Sequence, residues 1–214
     1  MQHTVIGTAN QCVVAQMTVG EEVRGEAAAL LLLSDGVALE APAHAPRPLL
    51  PEIGSAVPLT HFRCMASLGV VTFGAPCVGE IRKIEIRGSA WMCARDSFLF
   101  CTQDLHAAIG MAQPVVSGYF RQGGFILYRL SGHGDAYIHC GGNVIEYDLA
   151  AGQRVSVDPG CVAAYEESVQ PAVETLEVTP GSGPLYLMTL TGPGRIYLAT
   201  LPLARIHNHE ERRH

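Results

Sequence analysis

Lysine is nearly missing from this chain: Lys83 is the only one in 214 residues, and charged side chains make up just 16% of the whole. The 14 basic groups face 20 acidic ones, for a net charge of −6, and nowhere do they form a run. A nucleic-acid binder neutralises phosphates with a basic stripe, so no nucleic-acid partner is expected. Long hydrophobic stretches are also lacking. The longest, Ala27 to Leu33, has seven residues, far short of the roughly 20 that span a bilayer as a helix. Met1-Gln2-His3 is not a basic region and no apolar segment of a leader follows it, so a cytoplasmic location is expected. Of seven cysteines, no two form a C-x-x-C pair. They read as reduced thiols acting as small buried hydrophobes rather than as zinc ligands. There is no G-x-S-x-G string and no cysteine with a local activating signature, so an enzyme is not expected, nor a catalytic residue, cofactor or bound metal.

What the chain has instead is apolar residues, at 48%, together with 23 glycines and 13 prolines. The apolar residues fall in runs of 4–7 that often alternate with polar ones, the mark of half-buried strands. Phe125 to Leu130 and Leu185 to Leu190 are examples. No stretch keeps a helical period for three turns, although Leu105 to Ala112 reads as one short helix weakened by Gly110. The fold class is therefore all-β: an antiparallel sandwich or barrel-like architecture.

Two strings recur. Aligning Phe125 with Leu185 pairs Gly132 with Gly192, Gly134 with Gly194 and Tyr137 with Tyr197, and a fainter copy runs from Leu59 to Phe73. This reads as strand, tight hairpin turn, strand. In the second string, Gly20 leads to Glu26 and Leu30, Gly88 to Ala94 and Phe98, and Gly152 to Asp158 and Val162, always at one spacing. By composition alone Ala27 to Leu33 would be a helix, but its counterparts Ser97 to Cys101 and Cys161 to Tyr165 look like strands, so a strand is expected there too. Three tandem pseudo-repeats follow, near 16–75, 82–142 and 148–200, in a single compact domain over 1–203, with a polar tail over 204–214. Each is too small to bury a good core alone, so neighbours should share one. Ala41–Pro58, with five prolines, and Gln103–Gly124 are expected as surface excursions.

These strings resemble a family of small bacterial proteins of unknown function, related to the mitochondrial protein named for altered inheritance of mitochondria. The resemblance is carried by Gly20-Glu21, Val78 to Ile81, Gly141-Gly142, Val155 to Gly160 and Leu187 to Gly194. It covers most of residues 10–200. The resemblance implies an antiparallel fold like that of the tryptophan RNA-binding attenuation protein, self-association as a trimer or ring, and no catalytic residue. The segment Pro42–Phe62, proline-rich where relatives are Gly-rich, and the tail from Ile206 to His214 depart from the family pattern.

Several residues invite a chemical reading. Glu26 and Asp158 occupy matching places and could form an acid–base pair, but the third copy has Ala94, and Asp158-Pro159-Gly160 is an ordinary turn sequence. His133, His139 and Glu146 suggest a cupin-like metal set; the histidines are six apart, where neighbouring ligands on a strand need a spacing of two. His207, His209 and Glu210 have a ligand spacing but lie in the charged tail. Gly132-His133-Gly134 and Gly192-Pro193-Gly194 are followed by strands, whereas a phosphate cradle needs a helix N-terminus. Trp91 and Phe98 to Phe100 fall at core positions. The expected function is a non-enzymatic, self-associating scaffold. The alternatives are a module holding a small molecule between repeats and a cupin-like metalloenzyme.

Overall fold

The computed structural model describes residues 1–42, 51–113, 125–177 and 184–201. Among them there is no α-helix; strands dominate, joined by short turns and three single turns of 3-10 helix. The first stretch holds β1 (Gln2–Ile6), β2 (Cys12–Met17), β3 (Glu22–Gly25), β4 (Leu30–Leu33), β5 (Val37–Glu40), β6 (Thr60–Cys64) and β7 (Gly69–Gly74). The second holds β8 (Gly79–Arg87), β9 (Trp91–Ala94), β10 (Phe98–Thr102), β11 (Leu105–Gln113) and the long β12 (Phe125–Gly141). The third holds β13 (Val144–Leu149), β14 (Arg154–Val157), β15 (Val162–Glu166), β16 (Gln170–Glu177), β17 (Pro184–Thr191) and β18 (Gly194–Ala199).

Every ladder is antiparallel, and one pairing scheme serves all three stretches. In the first, β7 lies between β2 and β4 while β6 lies between β3 and β5. In the second, the later half of β12 lies between β8 and β10 and its earlier half between β9 and β11. In the third, β18 lies between β13 and β15 and β17 between β14 and β16. Two further ladders cross between stretches. β3 pairs β10 with Gly25 opposite Phe100, and β9 pairs β15 with Cys93 opposite Ala164. The result is a four-stranded sheet, an 11-stranded sheet that runs through both halves of β12, and a three-stranded sheet. None closes on itself, so the barrel alternative does not hold.

The three 3-10 turns, Ala27–Ala29, Arg95–Ser97 and Pro159–Cys161, make the same corner each time. Glu26, Ala94 and Asp158 precede them with φ/ψ of −73/125, −60/133 and −65/125, and Leu30, Phe98 and Val162 follow in extended backbone. The strand after each turn carries a bulge at its start, at Leu30/Leu32, Phe98/Phe100 and Val162/Ala164. Ala27 to Leu33 is therefore one 3-10 turn followed by a strand, not a strand throughout. The turn recurs with three unrelated sequences, so the corner rather than helix propensity in the alanines makes it, and the ladder to β7 holds Leu30–Leu33 extended.

Three expectations fail for identifiable reasons. Leu105 to Ala112 is not a helix but part of β11, whose eight paired residues against β12 outweigh local propensity; Leu105 and Ile109 are buried there. Nine residues of the expected excursion Gln103–Gly124 are thus sheet, and Val57 and Leu59, at the end of the proline-rich segment, are buried in the same core. The Gly-x-Gly strings are not hairpins. β17 and β18 pair different neighbours and never each other, and the two halves of β12 do the same. The glycines mark corners where the chain leaves one sheet for the next. At Gly132 φ is 117°, and a Cβ there would lie 2.5 Å from the Asp104 carbonyl oxygen, so no side chain fits.

There are three apolar cores: one between the four-stranded and 11-stranded sheets, one enclosed by strands of the 11-stranded sheet itself, and one between that sheet and the three-stranded one. In the first, Phe100 stacks on Phe73 at 4.5 Å and on Tyr137 at 4.7 Å, which ties the first stretch to the second. Trp91, mostly buried, stacks on Tyr197 at 5.5 Å and ties the second to the third. These placements match the core roles expected of Trp91 and Phe98 to Phe100. In the third core the Tyr165 hydroxyl is buried without a hydrogen-bond partner among the described residues. Urea unfolding should separate these contributions. Phe100→Ala, which empties an aromatic stack, is expected to cost about 3–5 kcal/mol. Tyr165→Phe, which removes an unsatisfied polar group, should leave stability unchanged or raise it.

Candidate functional site

The polar groups gather where the first and second stretches meet. Met1, Glu21, Glu22, Arg87, Thr102, Gln103, Asp104, His133, Gly134 and Asp135 line an open cleft of about 370 Å³, within the size range of small-molecule sites. It forms there because β3 and β10 are joined side by side while β12 turns its corner at Gly132, which brings the β10–β11 turn against the start of the later half of β12.

One wall of the cleft is held by Glu22. This side chain is 2% exposed. Its carboxylate accepts from Arg24 Nε at 2.8 Å and from Arg63 Nε and a terminal nitrogen at 3.0 and 2.8 Å, and it lies 3.0 Å from His61 Nδ1. Burial pushes the acid upward, but the guanidinium groups of Arg24 and Arg63 outweigh it, with the nearby His61, and hold the carboxyl below its ordinary value. Since Glu22 and Arg63 are register partners on β3 and β6, the cluster clamps that ladder. Glu21 next to it is bound by the Met1 amino group and by the Thr18 backbone N–H, which keep its carboxyl low. The opposite wall is a second network. Arg87 donates to the Gly134 carbonyl at 2.7 Å and to Asp135 at 3.1 Å, Lys83 reaches Asp135 at 3.1 Å, and the Asp135 backbone N–H donates to Thr102 Oγ1 at 3.1 Å. Gln103, Asp104 and His133 make no side-chain hydrogen bond or ion pair among the described residues, so these three are the polar side chains left to meet a ligand.

The candidates from sequence scatter. Glu26 accepts from the Tyr128 hydroxyl at 2.8 Å, while Asp158 caps its own turn by accepting from the Gly160 N–H at 2.8 Å. They sit at two different corners and form no acid–base pair; the turn reading of Asp158 holds. His133 lies in the cleft. His139 is 2% exposed. Its ring lies so close over Gly79 that a Cβ there would come within 2.5 Å of Nε2. Glu146 pairs with Arg195 at 3.0 Å on β13 and β18. The three are not brought together, and among the described residues no three His, Cys, Asp or Glu side chains are grouped to hold a metal ion. His207, His209 and Glu210, with the rest of the tail, lie outside the described residues. Cys64, Cys93, Cys101 and Cys140 are buried thiols, and Cys12, Cys77 and Cys161 are half-buried. Burial pushes the Cys101 and Cys140 thiols up to about 12, which makes them inert.

Two pH windows follow. Glu22 has a folded pKa below its unfolded value near 4.5. Its contribution is therefore complete above that value and lost as pH falls through the folded pKa. Glu22→Gln should destabilise by about 1–3 kcal/mol at neutral pH and flatten the acid limb of the unfolding curve below pH 4.5. His139 and His3 have their folded pKa values lowered from 6.5, chiefly by burial. Below 6.5 the unfolded chain takes up protons that the folded chain refuses, so stability should fall with acidification by up to about 1.4 kcal/mol per pH unit per histidine. Thermal unfolding followed from pH 7 to 5 should show this slope in the native chain and a shallower one in His139→Leu.

A family model described as mitochondrial biogenesis AIM24 matches residues 3–201. Among solved structures, a Streptococcus pyogenes protein determined by X-ray crystallography in a structural genomics programme is 16% identical; the match covers 100% of this chain and 99% of that one, with a TM-score of 0.80. That likeness shows the fold alone. No curated protein matches. The chain belongs to the AIM24 family.

Proposed function

We propose that this AIM24-family chain is a non-enzymatic assembly protein, built from three pseudo-repeats of one β-sandwich unit in the manner of the tryptophan RNA-binding attenuation protein, and that it works as a homo-oligomer. The observation that carries the reading is the apolar edges of the four-stranded sheet. Val5 and Ile6 are exposed on one edge strand, β1, and Leu31, Leu32 and Leu33 on the other, β4. A row of large aliphatic side chains on an edge strand is a surface that soluble chains cover by association. Light scattering after size exclusion tests this directly. The expected mass is a defined multiple of the chain, and a strict monomer at tens of micromolar would overturn the reading.

A second reading has its own observation: the cleft at the junction of the first two stretches, with Asp104 and His133 unengaged. It supports a module that holds a small polar molecule between units. A metabolite at 100 times its dissociation constant should stabilise the chain by about 2.7 kcal/mol. The shift should vanish in the double variant Asp104→Asn, His133→Ala, which leaves both wall networks intact. A panel that shifts neither protein argues for assembly alone. Among the described residues no helix is long and apolar enough to cross a membrane.

A further inference from the structure

Each junction between stretches uses the same two parts in the same register. The strand before one 3-10 turn pairs with the strand after the next turn. Gly25, one residue before Glu26, faces Phe100, two residues after Phe98. Cys93, one residue before Ala94, faces Ala164, two residues after Val162. Applied a third time, the rule leaves one half-junction over at each end: β4, the strand after the first turn, and β14, the strand before the last. β4 pairs only β7 and β14 pairs only β17 among the described residues, so each keeps one bare edge.

The side chains carry the same message. In the two strands that complete a junction, Leu99, Phe100 and Cys101 and their counterparts Ala163, Ala164 and Tyr165 are no more than 2% exposed. In β4 the residues at matching places, Leu31, Leu32 and Leu33, are 60%, 50% and 36% exposed. Likewise β3 and β9 are almost wholly buried, while β14 alternates between exposed and half-buried. Three leucines sit where a junction would cover them, and no neighbour among the described residues does.

We propose that copies of this chain join head to tail, β4 of one copy pairing antiparallel with β14 of the next, with Leu32 opposite Val157 and Leu33 opposite Ser156. This rests on the self-association reading and names the surface that performs it. The four-stranded and three-stranded sheets merge into one continuous sheet, and the edge hydrogen bonds left open at both ends are made. Because the two faces differ, the contact is heterologous: it gives a ring if the rotation per copy closes and a filament if it does not.

The test uses two full-length variants, Leu32→Lys on one edge and Ser156→Lys on the other, since an edge lysine opposes strand addition. Each should be monomeric by light scattering while keeping the circular dichroism of the native chain. Mixed in equal amounts they should form a dimer and nothing larger, because each supplies the intact edge the other lacks. Native-sized oligomers of either variant would overturn the junction while leaving self-association standing, and so would folded variants that stay monomeric when mixed. A monomeric native chain would overturn both. If either variant alone loses the native spectrum, Leu32→Thr and Ser156→Asp replace the lysines and the same mixture decides.

Discussion

The structure depends on the backbone ladder that runs from one stretch of chain into the next. No stretch has enough strand to close its own sandwich. β3 is buried because β10 lies beside it, and β9 because β15 does. Once those ladders form, the stacks of Phe73 on Phe100 and of Trp91 on Tyr197 fall across the junctions rather than within one unit. Backbone pairing sets the register and the ring stacks make it unique.

This dependence explains the composition. A small β unit that must share its core has a high proportion of apolar surface and little room for charge, which the chain meets with 48% apolar and 16% charged residues. Two groups of the charges it does carry are engaged in cross-strand networks. Glu22 with Arg24, His61 and Arg63, and Asp135 with Lys83 and Arg87, lie on neighbouring strands of the same sheets. A buried carboxylate held by two arginines is an uneconomical way to gain stability compared with an apolar contact. It does fix which residue of β6 lies opposite β3.

Much of the fold was legible in the sequence because the spacing between a glycine turn, a corner and an apolar residue is dictated by local geometry. Gly20, Gly88 and Gly152 all have positive φ, and the corners at Glu26, Ala94 and Asp158 coincide in backbone angles although the side chains differ. What could not be read was which strands meet. A strand–glycine–strand pattern is the same whether the two strands pair or part, so Gly132 and Gly192 passed for hairpins when they are corners. Leu105 to Ala112 passed for a helix because its partner, Phe125 to Gly132, is a ladder that local propensity does not contain. The cleft was illegible for the same reason. Glu21 and Glu22, Arg87, Thr102 to Asp104, and His133 to Asp135 come from four separate places in the chain. Of these side chains, His133 alone stands out in the sequence as a candidate ligand, and for a metal set that the fold does not assemble.

A chain made of like units joined by like contacts has a built-in remainder. Two junctions connect three units, so one half-junction is left at each end whatever the sequence between them. Evolution can silence such ends with charge, proline or a covering loop. Here β4 instead presents Leu31, Leu32 and Leu33, exposed and without a single charge among them. The leucine run, a helix by composition alone and a strand by its counterparts, is in the fold an exposed strand, whereas its counterparts β10 and β15 each pair a strand of the preceding stretch.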